Sequence, residues 1–222
     1  MRARLQADVH LAAVGEDLVF LDIGADAYFC LPRAADALEL GSDGQSLARC
    51  EDWLLHQLFA ANLAGEGAPM TAAPRRPVLP DLPASELCRE PVSVVDWSTV
   101  RSMAAAALSL YRKGYGGSLA DLIEVAHRLR RHERAVPGED LEATISLTRQ
   151  CEQLIPWVPF QGDCLFRSFL TLSVLRRAGH RVAWVFGVQT WPFRAHCWVQ
   201  LEDLVLNDIA ERVSGYAPIF VA

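Results

Sequence analysis

The apolar positions of this chain change period along its length, and that change divides it. Through residue 31 they fall in short runs, VHLAAV, DLVFLDI and DAYFCL, separated by GED and by a turn containing Gly24. Runs rich in Val, Leu, Phe and Tyr with turn residues between them predict three antiparallel strands. Pro32 then heads PRAADALEL, where its fixed φ suits the first position of a short helix. After GSDG, residues 46–63 carry Leu47, Cys50, Trp53, Leu54 and Leu58 at three- and four-residue intervals, which predicts an amphipathic helix.

A break follows. The segment 65–92 holds Pro69, Pro74, Pro77, Pro80, Pro83 and Pro91, and proline both removes a backbone donor and biases its predecessor away from helix. It reads as an extended linker between a unit at 1–64 and a unit at 93–222. Beyond it the period is helical: 94–113 is alanine-rich and ends at Gly114, 118–132 starts at a serine, and 139–155 stops before Pro156. A further helix runs from Cys164 to Ala178-Gly179, after which RVAWVFGVQ, RAHCWVQL, LVLNDI and YAPIFVA read as strands. Helices followed by an antiparallel sheet make this an α+β protein.

Composition narrows the field. Half of the residues are apolar (51%), enough for real cores, and the net charge of −6 argues against a general nucleic-acid binder. No run approaches the roughly 18 apolar residues of a membrane span, and MRARLQADVHL lacks the apolar core of a secretion signal. The six cysteines (30, 50, 88, 151, 164 and 197) form no C-x-x-C pair and no zinc spacing. A reduced, cytoplasmic protein without a metal is the expectation.

The chemistry gathers near the C-terminus. Cys164 stands at a predicted helix start, where the macrodipole and unpaired N–H groups favour a thiolate. Asp163, as the N-cap, should have its carboxylate occupied by backbone donors. In Arg194-Ala195-His196-Cys197-Trp198-Val199-Gln200-Leu201, alternation puts Ala195, Cys197, Val199 and Leu201 on an apolar core face. Arg194, His196, Trp198 and Gln200 fall on the other face, suited to a cleft. Cys197 is thereby assigned to packing, and His196 becomes the base for Cys164. An orienting acceptor should come from the hairpin LEDLVLND. A two-residue turn at Glu202-Asp203 pairs His196 with Ile209 and puts Asn207 on its face; a three-residue turn or a bulge pairs it with Asp208 instead. Spacing leaves both open, although Leu204 and Leu206 facing the core favours the two-residue turn.

The order Cys in DCLFRSFLTLSVLRRAGH, His in FRAHCWVQL and Asp in LNDI resembles the transglutaminase-like cysteine peptidases of lasso-peptide biosynthesis, the B proteins. The likeness covers residues 150–222 by motif and implies a transglutaminase/papain-like fold with Cys164, His196 and Asp208 as its triad. Choosing Asp208 in this way implies the odd turn or bulge. The N-terminal DLVFLDIGADAYFCL with its helices is similar to the winged-helix-like leader-peptide recognition element of the same systems, departing from it at Pro32. In such modules a leader adds as a strand to the sheet edge. By this analogy Asp26, Ala27, Tyr28, Phe29, Cys30 and Leu31, with Leu47, Trp53 and Leu54 of the helix, would bind it.

The resemblance implies a leader peptidase acting on a ribosomal precursor. The Cys164 N–H would be one oxyanion donor and Gln161 a second. The freed core would pass to an ATP-dependent, asparagine-synthetase-like cyclase, so ATP would enter through that partner; no phosphate-binding loop occurs in this chain. An acyltransferase with the same triad, or a non-catalytic adaptor presenting the precursor, are the competing readings. Phe166, Phe169, Leu170 and Leu172 read as core, Trp157, Trp191 and Trp198 as packing or cleft wall, and Cys30, Cys50, Cys88 and Cys151 as incidental thiols. The run Arg128-Leu129-Arg130-Arg131-His132 reads as a solvated helix end.

Overall fold

A computed structural model describes residues 3–67, 83–87, 94–112, 118–130, 141–158 and 163–222. The chain begins with β1 (Ala3–Leu5), β2 (Val9–Val14), β3 (Asp17–Asp22) and β4 (Ala27–Leu31). A 3₁₀ turn at Ala35–Ala37 leads to β5 (Leu38–Leu40), β6 (Leu47–Cys50), α1 (Asp52–Ala60) and β7 (Ala64–Glu66). Within the proline-rich segment, β8 (Ser85–Glu86) is described. Four helices follow, α2 (Trp97–Arg112), α3 (Leu119–Arg130), α4 (Leu141–Leu154) and α5 (Cys164–Ala178). The chain closes with β9 (Ala183–Gln189), β10 (Arg194–Leu201), β11 (Leu204–Val205), α6 (Ala210–Val213) and β12 (Ala217–Val221).

The three predicted N-terminal strands form the antiparallel sheet β2-β3-β4. Two helix expectations nearby are corrected. Of PRAADALEL only Ala35–Ala37 are helical, as a 3₁₀ turn: Leu38 and Leu40 alternate about Glu39 in β5, which pairs with β6. Residues 47–50, expected at the head of the amphipathic helix, are that partner strand, and α1 starts only at Asp52. The cause is local. Asp43 of GSDG accepts from the Gln45 and Ser46 backbone N–H groups (3.0 and 2.7 Å) and from the Ser46 hydroxyl (2.7 Å), closing a hairpin. An aspartate turn of this kind overrides the helical spacing of Leu47 and Cys50.

The sheet β2-β3-β4 is buried on both faces, which the unbroken LVFL run of β3 encodes. Leu18 and Phe20 point into a core with Leu5, Leu54 and Leu58. Val19 and Leu21, on the opposite face with Ala12, join a second core containing Phe169 and Leu172 of α5, Phe186 and Val188 of β9, and Phe220 of β12. The His10 and Phe220 rings meet at 4.5 Å across this contact.

The larger sheet runs β12-β9-β10-β11-β8, antiparallel except for the parallel β11–β8 pair. On one of its faces lies α5, whose residues 168–176 are all buried. Phe169, Leu172 and Leu175 pack toward the sheet, while Leu170 and Val174 pack on Met103 and Ala106 of α2 and Cys151 of α4. Phe166, read as core, is only half-buried. Arg176, 1% exposed, donates to the Ala126, Val182 and Ala222 carbonyls at 2.8, 3.0 and 2.8 Å, tying α3, the approach to β9 and the end of β12 together. Gly179 (φ 97°) ends α5 in the left-handed region that glycine adopts without a Cβ clash.

Separating the two sheets would expose Val19, Leu21, Phe186, Val188 and Phe220. At about 1.5–3 kcal/mol per large side chain, that cost is comparable with the whole net stability of a domain. Urea unfolding is therefore expected to show one transition by tryptophan fluorescence and by circular dichroism. Leu21→Ala should lower stability by about 3 kcal/mol in both probes. Two separate transitions, with Leu21→Ala moving only one, would show that the two sheets melt independently.

Candidate active site

Helix α5 begins at Cys164 because Asp163 is extended (φ −90°, ψ 138°) and the next residues turn helical. The expected cap hydrogen bond is absent: Asp163 is exposed and its carboxylate accepts from none of the first-turn N–H groups. Solvent screens its charge instead, which removes the conflict with a neighbouring thiolate.

The strand β10 is open only where it starts. Arg194 and Ala195 are exposed and His196 is half-buried, but Trp198 and Gln200, expected on an open cleft face, are sealed. On that face Trp198 packs with Val185, Val205 and Val221 of the neighbouring strands under Ala210 and Val213 of α6 and Tyr216, and its indole donates to Gln200 Oε1 at 2.8 Å. Gly187 faces His196 across the β9–β10 pair, and a Cβ there would lie 2.8 Å from Tyr216 Cβ and 2.9 Å from the Trp198 ring. Its bareness lets both rings close around the imidazole, with centroids 5.3 Å (Tyr216) and 6.2 Å (Trp198) away.

The hairpin resolves the choice between Asn207 and Asp208 in an unforeseen way. Gln200 pairs with Val205 and Leu201 with Leu204, so the turn is the two-residue one at Glu202-Asp203 and the odd turn is not there. Leu206 N–H still donates to the Val199 carbonyl at 2.9 Å, but the reciprocal Val199 N–H goes to Asn207 Oδ1 at 2.7 Å. A side chain thus takes a bond that the ladder would give to a backbone carbonyl, and the strand peels away at that point. Asp208 then swings onto the histidine, with its Oδ2 2.6 Å from His196 Nε2.

Three donors fix the Asp208 carboxylate: His196 on Oδ2, and the Ile209 N–H (2.8 Å) and Arg212 guanidinium (3.0 Å) on Oδ1. Burial works to raise its pKa, but the His196 hydrogen bond, the Ile209 N–H and the neighbouring positive charges outweigh it and hold it below the usual range. Glu86 of β8 accepts from the Ala210 N–H at 2.7 Å, so the start of α6 is anchored as well.

With Nε2 committed to Asp208, Nδ1 is the nitrogen left for the hydrogen bond His196 shares with Cys164. The Asp208 hydrogen bond, followed by the Cys164 one, lifts the imidazole pKa to about 9. The Cys164 thiol is pulled down to about 4, first by a hydrogen bond from the Cys197 side chain and then, against burial, by His196 and the Cys197 N–H. Between those values the pair stands as thiolate and imidazolium, the form that attacks a carbonyl and can return a proton to a leaving group. A pocket of about 150 Å³ opens over it, lined by Cys164, Arg167, His196, Cys197, Asn207, Asp208 and Arg212.

Cys197, Arg167 and Arg212 lay outside the sequence reading of the site. Alternation did place Cys197 on the core face, and it is 4% exposed there; what it hid is that this face meets the first turn of α5. Arg212 had a signal, since it stands four residues after Asp208 on a helical turn. Gln161, the second oxyanion donor expected, lies outside the described residues, as do Cys88, Arg131 and His132. Among the described residues no group of three or more His, Cys, Asp or Glu could hold a metal ion, and no helix is long and apolar enough to cross a membrane.

The peptide-binding candidates are divided. Asp26 (φ 53°) turns the chain into β4, which carries Ala27, Tyr28, Phe29, Cys30 and Leu31 and has β3 as its one neighbour among the described residues. Tyr28 and Cys30 face the core shared with α5 and β9, and the Tyr28 ring meets Phe193 at 5.7 Å. Burial, and after it the neighbouring Cys197 and Cys164 side chains, raise the Tyr28 phenol pKa. Trp53 is 45% exposed on α1, Leu47 lies on β6, and Leu54, fully buried, can support a peptide surface only from beneath. Trp157 and Trp191 are exposed, and the Trp191 indole donates to Asp17 Oδ2 at 2.7 Å.

A pulse of iodoacetamide followed by peptide mass mapping should label Cys164 half-maximally near pH 4 and leave buried Cys151, whose thiol burial pushes up, unlabelled at neutral pH. A Cys164 midpoint near that of a free thiol, about 8.5, would dismiss the ion pair.

No curated protein and no solved structure matches the chain. The model of the transglutaminase-like superfamily matches residues 101–221, a span that takes in α3, α4, α5 and the whole Cys164–His196–Asp208 arrangement. The chain belongs to the transglutaminase-like superfamily.

Proposed function

We propose that the protein is a cysteine endopeptidase that removes the leader from a ribosomally made lasso-peptide precursor. The observation that carries this reading is the Cys164–His196–Asp208 chain beside a sheet edge, β4, able to accept a peptide strand. Backbone pairing along such an edge gives affinity, and pockets for alternate side chains give selectivity. Tyr28 and Cys30 of that strand pack against the same core as Cys164, which supports a peptide on β4 reaching the nucleophile.

The chemistry follows from the protonation states. Cys164 attacks the scissile carbonyl as the thiolate, and the oxyanion is met by the Cys164 N–H at the start of α5. Imidazolium His196 gives its proton to the departing amine, so the core peptide leaves. Asp208, pinned by Ile209 and Arg212, keeps the ring oriented and its charge compensated. Water, activated by the now neutral His196, then releases the leader from the acyl-enzyme. On this reading the freed core goes to an ATP-dependent, asparagine-synthetase-like cyclase in the cytoplasm, and this chain itself binds no cofactor.

Incubation with a lasso-type precursor peptide, followed by mass spectrometry, is expected to give one cut that separates leader from core. Cys164→Ala should bind the precursor without cutting it; equal cutting by the variant would refute the assignment. If amine adducts of the leader replace the hydrolysed product, acyl transfer is the reaction instead.

Phe29, 36% exposed on β4, tests the edge. Phe29→Asp should weaken precursor binding about tenfold, or about 1.4 kcal/mol, by fluorescence anisotropy while the pH profile of Cys164 labelling stays put. Unchanged affinity would remove β4 from the binding surface.

A further inference from the structure

The active-site pocket contains two thiols, and the mechanism uses one. Cys197 follows His196 on β10, and its side chain turns to the opposite face, beneath the first turn of α5. There its Sγ lies 3.3 Å from Ser168 Oγ. That same hydroxyl donates to the Cys164 carbonyl at 2.7 Å and accepts from the Trp184 indole at 2.8 Å. Ser168 is fully buried, so this bracket holds Cys197 against the turn that carries Cys164. Both cysteines line the same pocket, both are free thiols, and their side chains share a hydrogen bond.

We propose that Cys164 and Cys197 form a peroxide-reactive pair, a modification site in which oxidation of the nucleophile is captured as a reversible Cys164–Cys197 disulfide. The reactant is hydrogen peroxide, small enough for the pocket. In the first step the Cys164 thiolate attacks one peroxide oxygen: an S–O bond forms, the O–O bond breaks, and the departing hydroxide takes the imidazolium proton of His196 to become water. Cys164 is then a sulfenic acid. In the second step the Cys197 sulfur attacks the Cys164 sulfur: the S–S bond forms, the S–O bond breaks, and hydroxide leaves with the Cys197 proton as a second water. Two electrons have passed from the two sulfurs to the peroxide.

The pairing has an internal logic. A reactive, accessible thiolate next to a resolving cysteine is the arrangement in which sulfenic acid is trapped before further oxidation. Cys197 is held protonated above all by its hydrogen bond with Cys164 and by burial, and the negative Cys164 charge adds to this. Conversion of Cys164 to an uncharged sulfenic acid removes that charge. The resolving thiol is thus quiet while the nucleophile is intact and released once it is oxidised. The disulfide caps the nucleophile, so acyl chemistry stops whatever the substrate is, and the inference stands apart from the leader-peptidase reading.

The full chain, treated with hydrogen peroxide and digested without reduction, should yield a peptide pair joined through Cys164 and Cys197. Iodoacetamide labelling of Cys164 should be lost and should return with dithiothreitol. In Cys197→Ala and Cys197→Ser, checked for folding by circular dichroism, the same treatment should take Cys164 to the sulfinic acid, and dithiothreitol should not restore labelling. Wild-type protein that goes directly to sulfinic acid, links Cys164 to another cysteine, or shows no link would overturn the proposal. Should both variants fail to fold, the cross-link map of the wild type decides alone.

Discussion

The burial of α5 on every side is the constraint on which the rest of the molecule depends. A helix whose residues 168–176 all lack water contact has no freedom to slide or roll, because any shift opens a void on one face and a clash on the other. Its sheet-facing and helix-facing residues belong to two different cores, so both must move for it to move. The first turn, with Cys164, is half-exposed, and the fixed body behind it supplies the precision. Preorganisation at Cys164 is therefore inherited from packing further along the same helix.

Electrostatics and packing divide the labour around His196. Its charge is set by hydrogen bonds, to Asp208 on one nitrogen and to Cys164 on the other. Its place is set by apolar neighbours, Tyr216 and Trp198, which can approach because residue 187 has no side chain. The Asp208 loop is in turn supported by Glu86, which the chain delivers just before α2. Residues far apart in sequence thus converge on a single imidazole.

Much of this was legible in the sequence, for identifiable reasons. The short apolar runs of β2, β3 and β4 and the helical periods of α2 to α5 survive folding because burial enforces them. The split between Cys197 and His196 followed from alternation alone. What failed did so where a local side chain or a distant surface competes with periodicity. Asp43 turned an apparent helix into a hairpin, and Asn207 broke the ladder just past a two-residue turn, so that Asp208 reaches His196 without the odd turn its choice implied. Trp198 and Gln200 looked solvent-facing because no pattern within β10 announces that α6 and Tyr216 will cover them. The unbroken LVFL of β3 was a stronger signal than its use as a strand, for it marked a sheet with no free face.

The shared core of the two sheets has a geometric consequence. The edge at β4 and the sulfur of Cys164 belong to bodies that part only at a cost comparable with unfolding. On the proposed reading, a peptide lying along that edge is therefore presented to Cys164 at a constant distance. The number of residues between the anchored strand and the reacting bond becomes a length measured against a fixed rod. Selectivity can then reside in counting as well as in chemical recognition.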